Sequence, residues 1–170
     1  MAVRPAHAGD APALAVLAER TFREAFEARN SPENMDLHCG TNFGPDIQAR
    51  EIADRALVTM VAEESGRLAG YTQLRPATAN ASVIAGRPAE LRRIYVSSEW
   101  QGRGIAQSLM EEALRAAAGT GSDCLWLGVW EHNPKAIAFY RKFAFEIVGQ
   151  QSFMLGNDSQ RDIVMAARLD

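Results

Sequence analysis

The sequence predicts an α/β fold, a mixed β-sheet of about seven strands flanked by about four or five helices. Three observations carry that expectation. Glu90 to Ala106, ELRRIYVSSEWQGRGIA, reads as a strand, a glycine-bearing turn and the start of a helix. Asp123 to Trp130 is apolar on both faces, as in the interior of a helix-covered sheet. Glu64-Ser65-Gly66-Arg67 and Gly156-Asn157-Asp158-Ser159 each divide two strand-like runs with turn-forming residues.

The remaining elements follow in order. Ala2 to Arg4 forms a short first strand. Asp10 is placed to cap a helix with Pro12 in its first turn. Leu14, Leu17, Ala18, Phe22, Ala25 and Phe26 recur at helical spacing and form one apolar stripe. Asn30-Ser31-Pro32 ends that helix and starts a second, with Ser31 as cap. Gly44-Pro45 breaks the chain again, and a third helix runs from Asp46 to Ala56. Leu57 to Ala62 and Leu68 to Leu74 are hairpin strands, with Gly66 supplying the positive φ. Arg75 to Pro88 is a loop in which Ser82 to Ala85 reads as a strand extension. Ile105 to Ala118 is a helix that sets Ile105, Leu109, Ala113, Leu114 and Ala116 on the sheet and Glu111, Glu112 and Arg115 in water. In the next strand Trp126, Gly128 and Trp130 share one face. Gly128 leaves a gap there, for a thin ligand arm or for a closely packed helix. Asn133 caps a helix with Pro134 first, whose inner face is Ala136, Ile137, Phe139 and Tyr140. Phe145 to Met154 and Asp162 to Leu169 are the closing strands.

Bulk properties fit one domain spanning residues 1–170. That length buries one good core. A net charge of −3 argues against a general nucleic-acid binder. Cys39 and Cys124 have neither a pairing pattern nor metal spacing, and read as free thiols in a reducing compartment. No leader pattern or long apolar run stands out, so the expectation is a cytoplasmic protein with no membrane partner and no metal.

The chemistry concentrates at residues 101–106. A helix start carries N–H groups with no intrahelical acceptor and the positive end of the macrodipole. Glycines there let a phosphate approach the backbone. No Gly-Lys-Ser/Thr follows, so the stretch is not a P-loop. Gln107 stands where a dinucleotide fingerprint wants glycine. The spelling Gln101-x-x-Gly104-x-Ala106 after Ile94-Tyr95-Val96, with Asn133-x-x-Ala136-x-x-Phe139-Tyr140 downstream, resembles the two half-sites of the GNAT acetyltransferase superfamily. The resemblance covers roughly residues 57–169. Gly149 to Met165, with Asn30 to Met35, further resembles its PaiA-like polyamine (spermidine/spermine) branch.

That resemblance implies an acetyl-CoA-dependent N-acetyltransferase acting by direct transfer. It places the pyrophosphate on Gln101, Gly102, Arg103, Gly104, Ile105 and Ala106. Main-chain groups of Ile94, Tyr95 and Val96 would take the pantetheine arm and the acetyl carbonyl. Asn133, Ala136, Tyr140 and Lys142 complete the cofactor set. Tyr140 stands where the general acid protonates the departing thiolate. Glu90, eleven residues before Gln101, stands where some members place a general base, unless it only pairs with Arg92 or Arg93. The broken helices near the start imply a lid over the acceptor, with Glu27, Glu33, Asp36 and His38 as its polar candidates. The acceptor is a small-molecule amine, a polyamine first, with an amino acid, peptide N-terminus or aminoglycoside as rivals. A non-catalytic acetyl-CoA-sensing module is the reading from another class. The last strands suit a homodimer. Ala144-Phe145 departs from the superfamily's usual Gly-Phe, at about 1 kcal/mol for a left-handed alanine.

Overall fold

The computed structural model describes residues 1–169. Seven strands form one sheet: β1 (Ala2–Pro5), β2 (Val58–Glu64), β3 (Arg67–Arg75), β4 (Pro88–Val96), β5 (Cys124–Trp130), β6 (Glu146–Leu155) and β7 (Asp158–Arg168). Their order is β1-β2-β3-β4-β5-β7-β6. The five α-helices are α1 (Ala11–Phe26), α2 (Pro32–Asn42), α3 (Pro45–Ala53), α4 (Ile105–Gly119) and α5 (Pro134–Arg141). The β4–β5 pair is parallel and the others are antiparallel. A parallel pair needs a crossover, and α4 supplies it.

Each sheet face has its own core. On one, α4 buries Met110, Ala113 and Ala117 against Leu91, Leu125, Leu127 and Met165, while Ile105 and Leu109 reach Ala62 and Ala69. On the other, Leu14, Leu17, Ala18 and Phe22 of α1 and Met35 and Cys39 of α2 pack on Val61, Tyr71 and Leu155. Ala25, expected in the α1 stripe, is exposed. Both cysteines are buried free thiols.

Several local expectations are corrected. Asp10 makes no cap hydrogen bond to α1. Its carboxylate accepts instead from both terminal nitrogens of Arg4 (2.8 and 2.9 Å) and from His7 N–H (2.8 Å). An ion pair with two parallel bonds outcompetes a single cap contact. Helix α3 stops at Ala53, where Asp54 turns extended. Residues 76–87 contain no strand; the Thr78 carbonyl, the Asn80 side chain and the Gly86 and Arg87 amides are tied instead to Trp126, Gln151 and Asp123. Strand β7 begins at Asp158, since a two-residue turn at Gly156-Asn157 suffices to reverse the chain. Ala144 does take a left-handed φ of 61°. Phe145 N–H donates to Tyr140 O and Ala144 N–H to Arg141 O, the paired bonds of a Schellman ending without its usual glycine.

The feature that matters for the site is a split. β4 and β5 pair only at Pro88–Cys124, Ala89–Leu125 and Glu90–Trp126. Beyond Glu90 they part, while β3 follows β4 to Val96 and β7 follows β5 to Trp130. A bulge lies at the parting point: Leu74 faces Leu91 and Gln73 faces Arg93, so Arg92 is the extra residue. Arg92 and Arg93 consequently both reach α3, where Glu51 pairs with Arg93 at 2.7 Å and Arg92 at 3.6 Å.

Candidate active site

The approach to α4 is built to be bare. Gly102 and Gly104 both take φ of 78°, and a Cβ on either would meet nothing within 4 Å. Gly104 is the N-cap residue and offers no side chain. The first turn of α4 holds no acidic residue. Its first hydrogen bond runs from Ser108 N–H to Gly104 O, 3.0 Å. The amides of Gly102 to Gln107 therefore have no backbone acceptor among the described residues. Positive charge flanks them. Arg103 lies over the Trp100 ring at 4.9 Å, and Lys135 of α5 donates to Gln101 Oε1 at 3.2 Å. Gln101 also donates to Val96 O (3.3 Å), bridging the end of β4 and α5 across the mouth of the split.

Inside the split, β4 keeps an unpaired edge. Ser97 N–H donates to Ala69 O on the β3 side. An antiparallel ladder alternates, so Tyr95 also bonds toward β3, and Ile94 and Val96 turn their N–H and C=O groups into the split. Gln101 reaching Val96 O from that side agrees. Asn133 caps α5, accepting from Ala136 N–H at 3.1 Å, which leaves its amide nitrogen free to donate. Tyr140 is half-buried, its ring 5.9 Å from Phe145. Burial raises its pKa, and burial pushes that of Tyr95 up to about 12. Both phenols stay protonated at neutral pH.

One carboxyl acts on both phenols: Asp162 of β7, which adds to the raised pKa of each. It is 7% exposed, and burial alone pushes its own pKa up to about 6. Its neighbours are Trp130 on β5 and Gln151 on β6. The gap expected over Gly128 is occupied by the side chains of Asp162 and Gln151. A Cβ on Gly128 would come within 2.8 Å of Asp162 Oδ2 and 2.6 Å of Gln151 Nε2. Gly128 itself is exposed, so it floors an opening between Trp126 and Trp130.

Glu90 is half-buried on β4, in register with Trp126 on one side and Arg75 on the other. The pairing weighed for it with Arg92 or Arg93 does not form; Glu51 and Gln73 hold those arginines. The four lid candidates do not converge. Glu27 and Asp36 pair with Arg23 on the outer surface, and Glu33 is exposed at the start of α2. His38 stacks on Phe22 at 4.3 Å and has its pKa lowered by burial and by Arg93. Lys142 caps the far end of α5, about 10 Å along the helix from Lys135. Asp162, Lys135 and Trp100 were not singled out from the sequence. Asp162 did carry a signal: a carboxylate heading the apolar run Ile163 to Ala167. Two surface depressions of about 360 and 480 Å³ lie at the outer end of β5–β7, touching this region only at Trp130.

The sequence pattern of the acetyltransferase (GNAT) family matches residues 15–145. An uncharacterized N-acetyltransferase of Mycobacterium tuberculosis is 33% identical over 162 residues, covering 94% of this chain and 98% of its own. Another, from the pepI 3′ region of Lactobacillus delbrueckii subsp. lactis, is 31% identical over 160 residues, covering 94% and 92%. Among solved structures, the PaiA N-acetyltransferase of Thermoplasma acidophilum, crystallised with coenzyme A, superposes with a TM-score of 0.77 at 19% identity, covering 99% of both chains. The ribosomal-protein-alanine N-acetyltransferase of Brucella melitensis superposes with a TM-score of 0.77 at 22% identity, covering 99% and 100%.

Proposed function

Because the chain belongs to the acetyltransferase (GNAT) family, we propose that it moves an acetyl group from acetyl-CoA directly to a primary amine of a small molecule, a polyamine such as spermidine or spermine first. The observation that carries this reading is the run of unpartnered amides from Gly102 to Gln107, at an acid-free helix start opening onto the β4–β5 split. A diphosphate suits those amides and the macrodipole behind them. The pantetheine arm suits the free edge at Ile94 and Val96, with Asn133 as a further donor. The same edge amides would hold the acetyl oxygen as charge builds on it.

Attack requires a nitrogen lone pair, so an ammonium acceptor sheds a proton first. Glu90, directly or through water, is the carboxylate proposed to take it. The C–N bond forms as the C–S bond breaks, and the sulfur leaves as a thiolate. Tyr140 gives that thiolate its proton. A phenol that burial keeps protonated is a suitable donor, and it recovers its proton from the solvent.

The test pairs coenzyme A calorimetry with a thiol-release assay on spermidine, spermine, amino acids, a peptide and an aminoglycoside. Expected are saturable coenzyme A uptake and highest kcat/KM on a polyamine. Tyr140→Phe should keep the uptake and lower kcat by about 10²- to 10⁴-fold, the usual worth of acid–base catalysis. Uptake without turnover on any amine would point to a sensing module. No uptake would end the proposal.

A further inference from the structure

We propose that Asp162 receives a cationic nitrogen of the acceptor, in a slot floored by Gly128 between Trp126 and Trp130. The inference rests on the acetyl-transfer reading and names the charge that the acceptor must carry. A carboxylate nine-tenths buried is costly to ionise unless something pairs with it. The arginine next to Asp162 in the chain does not do so; Arg161 pairs with Glu131. Burial acts on the Asp162 carboxyl with no compensating hydrogen bond or opposite charge among the described residues.

The surroundings are fixed, and Gly128 is exposed beneath them. Asn80 Nδ2 donates to Gln151 Oε1 at 2.9 Å, which turns the Gln151 amide nitrogen toward Gly128. The same loop holds Trp126, whose Nε1 donates to Thr78 O at 2.7 Å. Trp130 is wedged by Phe26, ring centroids 5.7 Å apart. A Cβ at 128 would run into Asp162 Oδ2 and Gln151 Nε2, so glycine is what lets these two polar groups lie over β5 between the indoles. A desolvated carboxylate between two indoles selects an ammonium group over a neutral or anionic one. Glu90 lies beside Trp126 and Asp162 beside Trp130, four residues apart along β5, or about 13 Å. That spacing suits an acceptor with more than one cationic nitrogen, and disfavours a free amino acid, whose carboxylate would face Asp162.

Spermidine binding, read by calorimetry at pH 8 with coenzyme A present, tests this without requiring turnover. Asp162→Asn should keep the coenzyme A affinity within twofold and weaken spermidine binding 10- to 100-fold. Gly128→Ala should weaken it too, because its Cβ would displace the Asp162 carboxylate. Asp162→Glu should recover part of the loss. Equal spermidine affinity in wild type and Asp162→Asn would overturn the inference, as would a wild type that binds coenzyme A but not spermidine. Loss of coenzyme A uptake in the wild type is a separate result and strikes the acetyl-transfer reading instead.

Discussion

Burial pushes the Asp162 carboxyl from an ordinary value of 3.8 up to about 6. The titratable groups facing it are Tyr95 from β4 and Tyr140 from α5, both protonated throughout this range, while Gln151 and Asn80 do not titrate. The folded state therefore holds a proton that the unfolded chain has released between about pH 4 and 6. Stability should fall as pH rises through that window and stay lower above it, by at most about 3 kcal/mol. Asp162→Asn removes the ionisation. It should unfold at higher urea than wild type at pH 7, with the difference shrinking toward pH 4. A variant less stable at pH 7 would mean that Asp162 is a structural group. Gain of stability with loss of spermidine binding marks a residue kept for its ligand. Residues with local jobs could be read from the sequence: Asn133 as a cap, Gly66 at a positive φ, Ala144 in a left-handed turn. Asp162 could not, because its neighbours Trp130 and Gln151 are brought to it by strand pairing.

At the scale of elements, β4 is the piece under most constraint. Its bulge sends two consecutive arginines to one face, and α3 answers with Glu51. The Arg93 side chain is 11% exposed and that of Glu51 16%. Gln73 joins them, accepting from Arg92 at 2.6 Å and donating to Glu51 at 3.2 Å. Burial and the adjacent Arg93 already lower the pKa of Arg92. Removing Glu51 would leave Arg93 without its paired carboxylate, and Arg92 with only the more distant charge of Glu90. Glu51→Ala should cost about 3 kcal/mol in urea unfolding. A loss under 1 kcal/mol would show that water replaces the pair. The strand–turn–helix at residues 90–119 was legible because its signals are consecutive: an apolar run, two glycines and a 3.6-residue stripe. The bulge was not, because Arg92-Arg93 reads as ordinary alternation until β3 sets the register. Ser82 to Ala85 misled for a related reason. Its residues suit a strand, yet the loop just before them is tied through Asn80 and Thr78 to β6 and β5 and forms no ladder.

Across the whole molecule, the sheet is held open from its flanks. β3 fixes β4 and β7 fixes β5, so the split persists although neither strand satisfies its inner edge there. A ligand that fills the split and lies against residues 102–107 would add hydrogen bonds that exist only in the folded state. Folding and binding are then linked. At one hundred times its Kd, coenzyme A should stabilise the protein by about 2.7 kcal/mol, which for a chain of this size raises Tm by about 5 to 10 °C. Pantetheine lacks the diphosphate, and should give a smaller rise at equal concentration. Gly104→Ala sharpens the comparison. Its Cβ meets no neighbour, so the fold pays only for a left-handed alanine, about 1 kcal/mol. The methyl would stand in the open cradle, however, and should abolish most of the coenzyme A shift while leaving the pantetheine shift in place. Hydrogen exchange locates the effect: coenzyme A should slow exchange at Gly102 to Gln107 together with Ile94 and Val96, and pantetheine at Ile94 and Val96 alone. If the two ligands protect the same amides and shift Tm equally, the diphosphate is not held at the start of α4, and the division of the site into cradle and split is wrong.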